Sequence, residues 1–463
     1  MSFRTTAILA ALLAILGGIF YFKEVRGGKK DPNESKRLFT AKADDVEAVE
    51  IRNAKAEVAL QKAGDGWQIE KPLKTKGDKL AITGLVNAVT NAKSERTIEE
   101  APKNPADFGL DKPELTVRFK VKGDAAWRRL EFGGKNPTGA WAYVRKDEQP
   151  QVILVPENLR FELNKPVLDL RDKSVMDVQA DKVIRLVVHR GSQVVVELQK
   201  GEQWDLARPV KARADEWRAS GLVRQAAELK AKDFAAEPAK DLKPYGLDKP
   251  VARLELWEKD AKAPKVLALG EVKGKADILY ARHEGTMTVA TVEKTILGDV
   301  PTGSWEVRDK GLFRYANKDV KKVRVEGGDK TVAVEREGEA KWKVVEPASD
   351  PAGKPAPGPV DEARVTELLF KLTGLRVDGV AAEQPDRLEA YGLDKPELTI
   401  TVTKTDGKEA GTLLVGKEEK EQRYVQIKGE APVYTMPAKD LQDLPRTPDD
   451  FKEKKPKKAE KKA

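Results

Sequence analysis

Three acids recur with identical neighbours in this chain and are the first candidates for chemistry: Asp111, Asp248 and Asp394, each inside Gly-Leu-Asp-Lys-Pro. A carboxylate in three equivalent places could ligate a cation or act as a general base. A general base needs a partner acid or nucleophile nearby, and none recurs with the motif. The same five residues also read as a turn: Gly takes positive φ, Asp bonds its own following backbone, and the residue before Pro stays extended. Histidine offers little, since His189 and His283 are the only two and the residues 137 positions earlier are Arg52 and Lys146. A Ser-His-Asp triad or His-based metal centre therefore has no repeated material. Cysteine is absent, which excludes disulfides, thiol catalysis and Cys-type zinc or iron–sulfur sites. Gly327, Gly328, Asp329, Lys330 and Thr331 resemble a phosphate loop, but the spacing is wrong and a hairpin turn explains them better. Trp67, Trp204 and Trp342 could form a sugar-stacking platform; their place in alternating segments favours core or half-buried anchors. Trp141, beside Asn136, Pro137 and Gly139, is the candidate for an exposed contact. The expectation is an absence of catalytic residues, metal sites and cofactors.

The elements that must carry these residues repeat as well. The turn motif follows Phe108, Tyr245 and Tyr391, with intervals of 137 and 146 residues between copies. Trp67, Trp204 and Trp342 each precede a proline by five residues (Pro72, Pro209, Pro347), and Asp78, Asp215 and Asp361 each open a helical pattern. Gly133, Gly270 and Gly416 close apolar runs, and Tyr143, Tyr280 and Tyr424 follow them. Phe39, Met176 and Phe313 precede Val46, Val183 and Val320 by seven residues each. A period near 137 residues is the size of an independent domain rather than a solenoid unit. In the first copy Val46–Ile51, Glu57–Lys62 and Trp67–Pro72 read as a meander of strands. Asp78 then caps a helix whose Ile82, Leu85, Val86 and Val89 form one apolar stripe, matched by Val365, Leu368, Leu369 and Leu372. After the turn come Glu114–Val121, the Leu-Glu-Phe-Gly run, Trp141–Lys146 and Gln151–Pro156, then a short helix near Glu157–Leu163. The expected fold class is α+β: three tandem antiparallel-sheet domains with helices on one face, at 36–172, 173–309 and 310–451. The longer third interval comes from a Pro/Ala/Gly-rich insertion at 347–359, which reads as an extended loop.

The 463 residues suit about three domains. The formal charge of +9 is concentrated in a Lys-rich tail at 452–463, which carries seven Lys against Glu453 and Glu460 and reads as solvated and disordered, with anionic lipid or wall polymer as the rival partner. The body is only weakly basic, so no nucleic-acid surface is indicated. Residues 1–35 read as an N-terminal membrane anchor and linker. The uncharged run from Thr5 to Phe22 would make a helix about 27 Å long, near the bilayer's hydrocarbon thickness. Lys23, Glu24, Val25 and Arg26 offer no small-x-small cleavage site, which favours an uncleaved signal anchor. Arg4 before the run against Lys23, Arg26, Lys29 and Lys30 after it would, by charge alone, keep the body cytoplasmic. Long domains translocate regardless of nearby charge and the N-terminal tail is short, so a body on the extracytoplasmic side is the expectation.

The ordered set of Trp-x-x-x-x-Pro, Asp-opened helix, aromatic-Gly-Leu-Asp-x-Pro, apolar-Gly and following Tyr resembles the bacterial domain of unknown function 4340 family, over about Lys36 to Phe451 in three copies. The resemblance implies a membrane-anchored extracytoplasmic protein, often encoded beside ABC-transporter subunits of the gliding-motility type, and transfers no catalytic residue. The expected function is a non-enzymatic, inner-membrane-anchored periplasmic accessory or scaffold protein that binds other proteins, ABC-transporter subunits among them. A multivalent cell-wall or polysaccharide-binding protein is the first alternative. A carboxylate-based hydrolase is the second, though no acid pair is picked out by spacing.

Overall fold

In the computed structural model, residues 36–274, 277–338, 341–347 and 360–452 are described. The expected membrane helix at 5–22, most of the Pro-rich insertion and the tail beyond Lys452 lie outside them. Among the described residues, no helix is long and apolar enough to cross a membrane.

The alternating segments of the first copy form a nine-stranded sheet. Its order runs Thr75–Lys76, Gly66–Lys71, Glu57–Ala63, Val46–Asn53, Leu115–Val121, Arg128–Lys135, Trp141–Lys146, Val152–Pro156 and Arg96–Glu99. The pairings are antiparallel: Val49 faces both Leu60 and Phe119. Two four-stranded meanders thus meet at Val46–Asn53, and the chain crosses to the far edge before the second begins. Nine strands in the same order, around Val183–Arg190, make the second sheet. Among the described residues the third has eight, with Lys341–Glu346 at its edge.

One helix covers each sheet where the apolar stripe predicts it. Lys79–Thr90 buries Ile82, Leu85, Val86 and Val89; Glu362–Gly374 buries Val365, Leu368, Leu369 and Leu372. These join Val49, Ile51, Leu60, Val117 and Phe119 in the first core, and their counterparts in the third. Burying each such side chain contributes roughly 1.5–3 kcal/mol. The helix-opening aspartates act as caps: Asp78, Asp215 and Asp361 accept from the backbone N–H of Ala81, Arg218 and Ala363 at 2.9, 3.0 and 2.9 Å. Away from the helices, the strands present ion pairs such as Arg118–Glu50, Arg185–Glu197 and Arg324–Glu346 at 3.3, 2.9 and 2.7 Å.

Two features depart from the sequence reading. The glycines expected to end strands sit inside them, since the strands run on to Lys135, Glu271 and Glu419. Arg96–Glu99 and Asp233–Ala236 are edge strands with no apolar alternation to announce them. The described chain gathers into two compact units. Of the described residues, the first joins 36–175 with 230–237 and 290–292; the second holds 176–229, 238–289 and those from 293 to 452. Residues 230–237 fall with the first because the Ala231 N–H donates to Lys173 O at 2.7 Å and Glu237 binds Arg171.

Candidate functional site

The recurring turn is built from backbone. A 3₁₀ turn, Pro105–Phe108, ends at Gly109 with φ of 68°, a left-handed conformation that glycine adopts without strain. Gly133 crosses directly beneath: a Cβ there would stand 2.1 Å from Phe108 O. The same approach recurs: an added Cβ would stand 2.3 Å from Tyr245 O at Gly270 and 2.0 Å from Tyr391 O at Gly416. Phe108 meets Tyr143 edge to face with ring centroids 5.1 Å apart; Tyr245–Tyr280 and Tyr391–Tyr424 repeat this at 5.2 and 5.1 Å. Leu110, Leu247 and Leu393 are buried beside them, whereas Asp111, Asp248 and Asp394 are exposed. The glycines, aromatics and leucine of the motif therefore clamp a loop to the sheet, and the aspartates stand on the exposed turn.

The other candidates are distributed without converging. Trp67, Trp204 and Trp342 are core residues, 2–7% exposed, so they offer no stacking platform. Trp141 is half-buried, and the exposed tryptophan is instead Trp217, 89% accessible as the second residue of its helix. His189 Nε2 lies 2.9 Å from Glu255 Oε1. His283 is three strands away, and burial together with Lys265 lowers its pKa below the ordinary imidazole value. Gly327–Thr331 forms the hairpin joining Val320–Gly327 to Lys330–Glu337, with Gly328 at φ 58°. Among the described residues, no group of three or more His, Asp or Glu is placed to hold a metal.

What the structure does bring together lies where one copy passes into the next. In the first unit Arg171 is buried, donates twice to the Glu237 carboxylate at 2.6 and 2.7 Å, and lies over the Phe234 ring. In the second unit its counterpart Arg308, 2% exposed, donates to Glu383 Oε1 at 2.7 Å and to the Tyr434 hydroxyl at 2.8 Å. The Nε atoms of both arginines are buried without an acceptor. Burial raises the Tyr434 pKa against the opposing pull of Arg308, so the phenol keeps its proton at neutral pH.

Arg308 and Tyr434 line a cleft of about 910 Å³ within the second unit. Leu206, Val210, Leu312, Val377 and Ile427 supply apolar wall. At the rim Arg213 pairs with Glu430 at 3.3 Å, and Asp309 contacts Arg314. Burial, reinforced by Arg213 and Arg376, pushes the Arg314 guanidinium down to about 10, which leaves it cationic at neutral pH. A smaller cleft of about 670 Å³ in the first unit is lined by Trp67, Lys76, Leu80, Asp172 and Lys230. There Ser174 and Lys76 hold the Asp172 pKa below its ordinary value, outweighing the opposing effect of burial.

Arg171, Arg308 and Tyr434 escaped the sequence reading. The two arginines do keep the 137-residue step, each followed by Asp (Asp172, Asp309). An isolated Arg in a charge-rich chain reads as surface, and only its acceptor shows otherwise.

The fold and these joints define a tandem-repeat protein of antiparallel α+β domains. The chain belongs to the family described as Domain of unknown function (DUF4340), whose profile matches residues 67–203, 204–357 and 352–463. None of the curated proteins matches it. Among solved structures, a DnaN sliding clamp (DNA polymerase III subunit beta) from Pseudomonas aeruginosa, bound to griselimycin, is 7% identical over 87% of this chain and 93% of that one. Its TM-score of 0.14 is too low to carry an argument.

Proposed function

We propose that this protein is a non-enzymatic, membrane-tethered accessory protein whose repeated domains engage other proteins on the extracytoplasmic side. The observation behind this reading is the use made of the recurring residues. Glycines, aromatics, tryptophans and capping aspartates are spent on turn, core and cap, and the buried arginines fasten one copy to the next. Such an assembly presents surface, and no partner acid or nucleophile recurs with the exposed aspartates of its turns. The family resemblance points to ABC-transporter subunits of the gliding-motility type as the partners. The uncharged run at 5–22 supplies the tether.

Crosslinking in membranes followed by mild-detergent pull-down of the full chain tests the partner, with transporter subunits expected among the products. Recovery of no membrane protein would remove the accessory role. A C-terminal reporter that reads sidedness tests the placement, and a cytoplasmic signal would overturn the extracytoplasmic reading.

A further inference from the structure

Two residues that line the cleft in the second unit, Arg308 and Tyr434, carry donor hydrogens that the protein does not use. Arg308 commits Nη1 to Glu383 and Nη2 to Tyr434, which leaves Nε buried with no acceptor. A buried donor without a partner costs roughly 1–3 kcal/mol, more for a charged group, so it persists where something else satisfies it. The Tyr434 oxygen accepts from Arg308, and its own hydrogen remains available to a further acceptor. Both residues line the cleft, and Leu206, Val210 and Ile427 offer apolar contact in the same space. Three of the lining carboxylates are already matched, Glu383 to Arg308, Glu430 to Arg213 and Asp309 to Arg314, while Asp205 also lines the cleft without an ion-pair partner among the described residues.

We propose that this cleft is a binding site for a carboxylate carried on an apolar body, with Arg308 Nε and the Tyr434 hydroxyl donating to the carboxylate oxygens. Its volume falls within the range of small-ligand sites, which combine apolar walls with a few polar groups. The first joint lacks this arrangement. Ala290 stands at the position of Tyr434, ten residues after Tyr280 as Tyr434 is after Tyr424, and Arg171 is not part of that cleft's lining. One site per chain follows. The proposal does not depend on the accessory-protein reading, because a free carboxylate and an acidic side chain of a partner would use the same donors.

The test is calorimetric titration of the full-length chain in detergent with hexanoate and, separately, hexanamide. Acetyl-Leu-Glu-Leu-amide and its Gln counterpart make the second pair, which distinguishes a free carboxylate from a peptide one. Saturable binding of either carboxylate at one site, with its amide at least about tenfold weaker, is expected, since a hydrogen bond to a charged group is worth roughly a factor of ten or more. Tyr434→Phe should weaken the carboxylate about tenfold, and Val210→Trp should abolish binding by filling the cleft without touching Arg308. Equal binding of acid and amide, no binding of either acid at millimolar concentration, or unchanged affinity in both variants would overturn the proposal. In the no-binding case an ordered water satisfies Arg308 Nε.

Discussion

Replacing Gly133 by Ala tests the clamp beneath the recurring turn. Gly133 is not in the left-handed region, so its requirement is for space alone. The added Cβ would lie 2.1 Å from Phe108 O and 3.0 Å from Gly109 C. Relief demands that strand and turn part by about 1 Å. Overpacking of this kind costs about 1–3 kcal/mol, and loosening the Phe108–Tyr143 pair adds about 0.5–1.5 kcal/mol. The sum, about 1.5–4.5 kcal/mol, corresponds to a fall of roughly 5–15 °C in the midpoint of a unit of this size. Two internal controls separate clash from backbone preference. Gly84 lies within a helix with nothing within 4 Å of its Cβ position, so Gly84→Ala should raise the midpoint slightly, by about 0.5–1 kcal/mol. Gly139 has φ of 75° and equally open space, so Gly139→Ala should lose only the left-handed penalty, about 1–2 kcal/mol. Thermal unfolding followed by far-UV circular dichroism reads all three. A Gly133→Ala midpoint within about 2 °C of the parent, or above that of Gly139→Ala, would refute the clamp.

Three further outcomes follow from the same geometry. Asp361→Ala should lower stability by about 1 kcal/mol through loss of its cap on the Ala363 N–H, and Asp361→Asn should retain most of it, as denaturant midpoints would show. Arg308→Met should cost about 1–3 kcal/mol by removing the charged hydrogen bonds to the partly exposed Glu383 and to Tyr434, and Glu383→Met should cost less in that background than alone in a double-mutant cycle; strict additivity would count against a coupled pair. Hydrogen bonds from Lys322 and Arg324 lower the Glu346 pKa. Its stabilising contribution is therefore complete above the ordinary glutamate value and lost as pH falls through the lowered one; urea midpoints between about pH 5 and pH 3 should fall less steeply in Glu346→Gln.

The sequence alone determined what depends on neighbours a few residues apart. Helix starts at Asp78, Asp215 and Asp361, the stripe from Ile82 to Val89 and most strands of each meander are local in origin: a cap acts within one turn, and side-chain alternation follows from the backbone. The threefold repetition was legible for the same reason, because each copy solves the same local problems with the same residues. Tertiary structure decided what depends on pairing across a hundred residues or across the sheet. Arg96–Glu99 becomes a strand only by adding to Val152–Pro156. Gly133 must be glycine because a carbonyl twenty-five positions earlier crosses over it. Arg308, ordinary in sequence, is buried because Glu383 and Tyr434 arrive from 75 and 126 residues away. The turn aspartates, the first residues to suggest chemistry, stand exposed, while the donors left unmatched in the second unit's cleft belong to residues that no motif marks. A guanidinium enters low dielectric only where its partners converge, and that convergence is a property of the folded chain.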